Sequence, residues 1–251
     1  MSGAPPFAIA RTNQAGSGKG AFMALVLEQS IDVPSRPDAV VVADGALWVA
    51  GEGAGRLRRF STKGKPEAIR EEQTLSIGVL ADGGITRMDG KLLVATARTR
   101  ILTSVDPETG GHAIVLDCKT LVGGKNAGGL RASNGTIAGI VWREGTVWVA
   151  VAAGYASCIV QIDIAAGKII SDFWAPGPNP RGLAFDAKRD RFWVIEGRKE
   201  ALADLDRRGE WLGTSAPLPL PGMRRLSIDS ENSFWAVDAK LARIYRMRME
   251  G

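Results

Sequence analysis

A chain of 251 residues with 45% hydrophobic content can bury a large core, and a net charge of +5 is too small to mark a nucleic-acid footprint. Thirty-one Gly and twelve Pro point to many tight turns, and no apolar run approaches the roughly 18 residues of a membrane span. Two cysteines in different parts of the chain argue against a disulfide framework, and a single histidine excludes any site built on several of them.

Residues 1–23 read as a flexible arm. Met1 to Arg11 has no basic start followed by a continuous apolar core, so the chain as it stands is expected in the cytoplasm; removal of a leader would instead place it in the periplasm or outside the cell. Asn13 to Gly20 has the glycines and lysine of a phosphate loop but fails the pattern. Residue 13 is not Gly, and Gly20 stands where a Ser or Thr should hold magnesium.

A β-rich stretch at 24–33 comes next, and then a phrase that returns five times: Leu47-Trp48-Val49-Ala50, Leu92-Leu93-Val94-Ala95, Val147-Trp148-Val149-Ala150, Phe192-Trp193-Val194-Ile195 and Phe234-Trp235-Ala236-Val237. The steps from 47 to 92, 147, 192 and 234 are 45, 55, 45 and 42 residues. Repeats of this length with an aromatic in a strand predict propeller blades. Before the phrase lies another strand and a hairpin signal, Asp44-Gly45, Asp89-Gly90 or Glu144-Gly145, lengthened to Asp186–Asp190 and Ser230–Ser233 in the last two repeats. After it comes a third strand, closed by an Asp-to-Gly turn at Asp106–Gly110, Asp163–Gly167 and Asp206–Gly209.

The expected fold is all-β: a five-bladed β-propeller of four-stranded antiparallel blades spanning 36–77, 81–117, 136–175, 179–214 and 223–249, in one domain from 24 to 251. The fifth repeat ends after its third strand, so strand 24–33 is expected to complete the last blade and close the ring, removing an exposed edge. The 55-residue step leaves an insertion at 121–134, with Lys125, Asn126 and Arg131 as its polar candidates for contacting a partner. Cys118 and Cys158 read as packed thiols, and His112 as a surface residue at the start of an outer strand.

In such a ring, a site forms where loops enter the innermost strands and where the anchor strands end. Aligning the repeats puts Asp38, Gly83, Ala138, Arg181 and Arg224 at the first position, with Arg36, Asn179 and Arg225 nearby, and Glu52, Thr96, Glu196 and Asp238 at the second. Three guanidinium groups would attract a carboxylate or phosphate through bidentate donors. The carboxylates would pair with those arginines or bind a hard cation.

The text Pro37 to Ala50 followed by Gly55 to Phe60 resembles the blades of the broad superfamily that includes streptogramin-lyase-like, NHL and YVTN-type propellers. Pro180 to Asp186 with Phe192 to Gly197 resembles the lyase-like blade in particular, and the likeness runs over residues 24 to 249. It implies the fold and no single activity, since the superfamily holds hydrolases, lactonases, lyases and plain binding scaffolds. Streptogramin lyases use several histidines with a divalent metal, from which this chain departs. Gluconolactonase-like propellers hold calcium through carboxylates and an Asn, a set that Glu52, Asn179, Glu196 and Asp238 could supply.

Two main readings follow. The first is a non-catalytic scaffold that needs no cofactor and meets a protein partner or small anionic ligand at the channel mouth and loops, with no specific nucleic acid. The second is a calcium-type hydrolase or lactonase using the carboxylates. A cofactor-free lyase or cyclase, with channel carboxylates as acid and base, is a third.

Overall fold

The computed structural model describes residues 23–51, 55–61 and 70–250; the expected N-terminal arm lies outside them except for Met23. Twenty strands form five antiparallel sheets of four among the described residues. An N-terminal strand β1 (Ala24–Asp32) precedes the first blade, β2 (Pro37–Ala43), β3 (Ala46–Gly51), β4 (Arg56–Ser61) and β5 (Glu71–Ser76). The second blade is β6 (Gly84–Met88), β7 (Lys91–Ala95), β8 (Ile101–Val105) and β9 (His112–Asp117). The third is β10 (Thr136–Arg143), β11 (Thr146–Ala152), β12 (Cys158–Asp163) and β13 (Lys168–Trp174). The fourth is β14 (Pro180–Asp186), β15 (Arg191–Glu196), β16 (Ala201–Leu205) and β17 (Trp211–Pro217).

The fifth blade draws only β18 (Arg224–Ile228), β19 (Phe234–Asp238) and β20 (Arg243–Glu250) from the C-terminal part of the chain. Its fourth strand is β1, which pairs with β20 from Ala24 opposite Glu250 to Asp32 opposite Arg243, so the ring closes as the sequence predicts. The five inner strands, β2, β6, β10, β14 and β18, pack side by side in that order and back to β2.

The anchor phrase is apolar at every position because each anchor strand is buried on both faces, one against each neighbouring blade. On β3, Leu47 and Val49 face Trp235 and Val237 of the fifth blade, while Trp48 and Ala50 pack with Ile85 and Val94 of the second. The same division gives five separate cores, one in each gap between blades. Each large side chain buried there stabilises the ring by roughly 1.5–3 kcal/mol. Cys118 and Cys158 sit as free thiols in the core between the second and third blades, where burial pushes them up to about 12 and about 11.

The turns form as their residues dictate. Asp44-Gly45, Asp89-Gly90 and Glu144-Gly145 all take positive φ, the geometry that matches the right-handed twist of a hairpin. Asp106 accepts from the backbone of Glu108 and Thr109, both at 2.9 Å, which holds its carboxyl below the usual range. The basic runs on β4 and β20 are paired to carboxylates, Arg58 with Glu71 at 3.1 Å and Arg246 with Glu231 at 2.6 Å. Insertion 121–134 carries a one-turn helix, α1 (Gly128–Arg131), and is pinned to β13 by the Asp172 carboxylate, which accepts from Lys125 N at 3.0 Å and from Asn126 N.

Candidate functional site at the channel mouth

The inner strands converge where they begin. Four of them carry a bulge there, between Pro37 and Ala39, Ile137 and Gly139, Pro180 and Leu183, and Arg224 and Ser227. A bulge adds a residue to one strand and bends it, which lets the starts of neighbouring inner strands approach. A Cβ on Gly139 would lie 2.4 Å from the Leu183 nitrogen, and one on Gly182 would lie 2.6 Å from that of Leu226. Counting back from the hairpins, Ala39, Gly84, Gly139 and Gly182 occupy equivalent places; the fifth place holds Arg225.

Arg225 adopts φ +57 and sends its side chain across the channel. Its Nε donates to the carbonyl of Asp82 at 2.7 Å and its Nη1 to that of Ala138 at 2.8 Å, with Nη2 also on Asp82. Asp82 leads into β6 and Ala138 lies on β10, the two inner strands that do not adjoin β18, so the guanidinium bridges the ring and obstructs the channel. Burial strips its hydration and pushes it down to about 10.

Above this bridge stand several of the residues aligned from sequence. Arg36 Nε lies 3.5 Å from Asp38 Oδ1. Arg224 is half-buried among Arg36, Asp38, Asp238 and Arg181; burial, and then the like charge of Arg36, hold it below the usual arginine range. Its Nε is buried without a hydrogen-bond partner among the described residues. Burial raises the Asp38 carboxyl above its ordinary value, against the pull of Arg36 and Arg224 and with help from Asp82. Arg36, Asp38, Arg181, Arg224 and Asp238 thus share one electrostatic neighbourhood.

Two of these, Arg181 and Asp238, and the other candidates also serve local tasks. Arg181 pairs with Glu200, a partner that the repeat alignment does not pick out. Glu196 is buried; its Oε1 accepts from Arg198 N at 3.2 Å, and its Oε2 lies 3.8 Å from Lys199 Nζ. Asp238 Oδ1 caps the turn at Lys240 N, 2.8 Å, and Leu241 N, 3.1 Å. The Asn179 carbonyl accepts from Gly197 N at 3.1 Å. Glu52 lies outside the described residues. Among the described residues no group of three or more His, Cys, Asp or Glu could hold a metal ion.

Sequence reasoning missed the two features on the channel axis. One is the Arg225 bridge, for which the signal was an arginine replacing the small residue that starts the other inner strands. The second is a cavity of about 640 Å3 at the opposite end, lined by Val41, Ile85, Ile140, Leu183 and Leu226 and by the charged residues Arg87, Arg143, Glu144, Asp190 and Arg207. No helix among the described residues is long and apolar enough to cross a membrane.

No family model matches the chain, and no curated protein matches it in sequence. Among solved structures, a glutaminyl cyclase of Myxococcus xanthus superposes with a TM-score of 0.65 at 10% identity, covering 91% of this chain and 97% of that one. A virginiamycin B lyase of Staphylococcus aureus gives 0.48 at 17% identity over 86% and 68%, and the WD40 propeller domain of Doa1 gives 0.48 at 10% over 90% and 97%. At these identities the likeness is one of fold alone, and the chain is a five-bladed β-propeller.

Proposed function

We propose that this propeller is a non-catalytic binding protein that takes a carboxylate- or phosphate-bearing ligand, free or displayed by a protein partner, at the mouth formed by Arg36, Asp38, Arg181, Arg224 and Asp238. The observation that carries the reading is Arg224: a half-buried guanidinium, flanked by two further arginines, whose buried Nε has no hydrogen-bond partner among the described residues. A buried donor left without an acceptor costs about 1–3 kcal/mol, and an oxyanion that draws the half-buried Arg224 side chain outward removes that cost. The neighbouring carboxylates lower the net charge of the mouth and favour small ligands with anionic groups at fixed places over extended polyanions. Titration calorimetry with citrate and with inorganic phosphate tests this. Saturable binding by the parent protein that is lost in Arg224→Met supports it; no binding of either anion refutes it.

One observation favours a second reading, a cofactor-free lyase or cyclase. Asp38 is a carboxyl raised by burial at a channel mouth, the condition that suits a general acid or base. Ammonia released from an N-terminal glutaminyl peptide by the parent but not by Asp38→Asn would install that reading. Its absence would leave binding as the function of the mouth.

A further inference from the structure

The Arg225 bridge makes the two ends of the channel different places. Leu226, the next residue, lies in the floor of the cavity at the far end, together with Ile85, Ile140 and Leu183. We propose that this cavity is a second ligand site, separate from the arginine-rich mouth, and that it takes a planar aromatic carboxylate.

Size comes first. A volume of about 640 Å3 lies within the range of about 300–1,000 Å3 that small-molecule sites occupy. The floor is aliphatic, supplied by all five inner strands once Val41 of β2 is included, so the buried part of a ligand must be apolar.

The walls select a flat shape. Trp142 and Phe185 line the cavity from the neighbouring inner strands β10 and β14. The Trp142 ring is held by its Nε1 donating to Asp89 Oδ1 at 3.2 Å, and Phe185 lies under the Arg143 guanidinium, 3.8 Å from its ring centroid. Fixed aromatic faces with a stacked guanidinium favour a planar ring system.

Charge then selects the headgroup. Three arginines line the cavity, Arg87, Arg143 and Arg207, against two carboxylates, Glu144 and Asp190. Asp190 is shared, accepting from Arg143 at 3.2 Å and from Arg207 at 2.7 Å. Arg87 sends Nη2 to Asp44, which is outside the lining, at 2.6 Å, and its Nη1 is buried without a hydrogen-bond partner among the described residues. The Arg87 side chain keeps 31% of its surface exposed, so its guanidinium can turn this donor to a carboxylate at the rim while the ligand's rings reach toward the floor.

The test uses 2-naphthoate, with 2-naphthalenemethanol as its uncharged counterpart, in titration calorimetry on the full chain. Parent protein is expected to bind 2-naphthoate at least tenfold more tightly than the alcohol. Arg87→Met should weaken the carboxylate about tenfold without changing the alcohol. Ala187→Trp, at an exposed position on the cavity rim, should block both without disturbing the core. Absence of naphthoate binding, equal affinity for acid and alcohol, or loss in Arg224→Met with Ala187→Trp unaffected would each overturn the proposal. The last of these would move the ligand to the mouth.

Discussion

Arg225 Nε donates to the Asp82 carbonyl at 2.7 Å across the channel axis, from a blade that does not adjoin the one Asp82 introduces. Three donors of one guanidinium thus tie the fifth blade to the second and third through backbone carbonyls alone. Carbonyls are present whatever the side chains are, so the bridge depends on a single residue's identity.

Residue 225 must also tolerate φ +57, which favours glycine over any side chain with a Cβ. Arg225→Gly is therefore expected to retain about 1 kcal/mol more stability in urea denaturation than Arg225→Ala, although both lose the same hydrogen bonds. Equal losses would mean that the backbone here is relaxed.

Ring closure rests on β1. Leu25 is buried in the core between the fourth and fifth blades, with Tyr245 and Met247. Leu25→Ala should cost about 2–5 kcal/mol in denaturant unfolding. Removing residues 1–33 should leave β20 as an open edge and produce concentration-dependent association in analytical ultracentrifugation.

Asp172 anchors the insertion. Its carboxylate receives two consecutive backbone N–H groups, Lys125 and Asn126, so Asp172→Ala should speed amide exchange across 121–134 while exchange in β10 and β11 stays slow. Unchanged exchange in the insertion would show that Arg131, bonded to the carbonyls of Leu121 and Gly123, holds it unaided.

Asp38 sets a pH dependence. Its carboxyl is raised in the fold, chiefly by burial, so the unfolded chain gives up this proton first and stability is lost as pH rises from the ordinary value of 3.8 through the folded one. Asp38→Asn lacks that loss. Relative to the parent, the variant should gain stability between pH 3 and pH 7, read as a pH-dependent difference in urea midpoints; a constant difference would mean that Asp38 is not perturbed.

The five blades are legible because the anchor strands are buried on both faces, which forces an unbroken apolar phrase at Leu47 to Ala50 and its four repeats. Closure is legible because a blade lacking its outer strand leaves an edge that only residues 24–33 could fill. The site is less so, for a physical reason. Bulges at the entry of the inner strands break the period of two, so the direction of Arg181, Arg224 and Arg225 does not follow from counting along the strand. Arg224 and Arg225 are adjacent, and one opens toward the mouth while the other bridges the channel. Glu200 as the partner of Arg181 depends on a loop conformation. The far cavity gathers Arg87, Arg143 and Arg207 from three blades, at positions that share no motif.

Anion binding at the mouth is tested most directly by a crystal structure of the protein soaked with citrate at low ionic strength. Carboxylate density is expected within hydrogen-bond distance of Arg224 Nε, flanked by Arg36 and Arg181, with the Arg225 bridge unmoved. A mouth without citrate density, and with Arg224 turned to pair with Asp38 or Asp238, would contradict it.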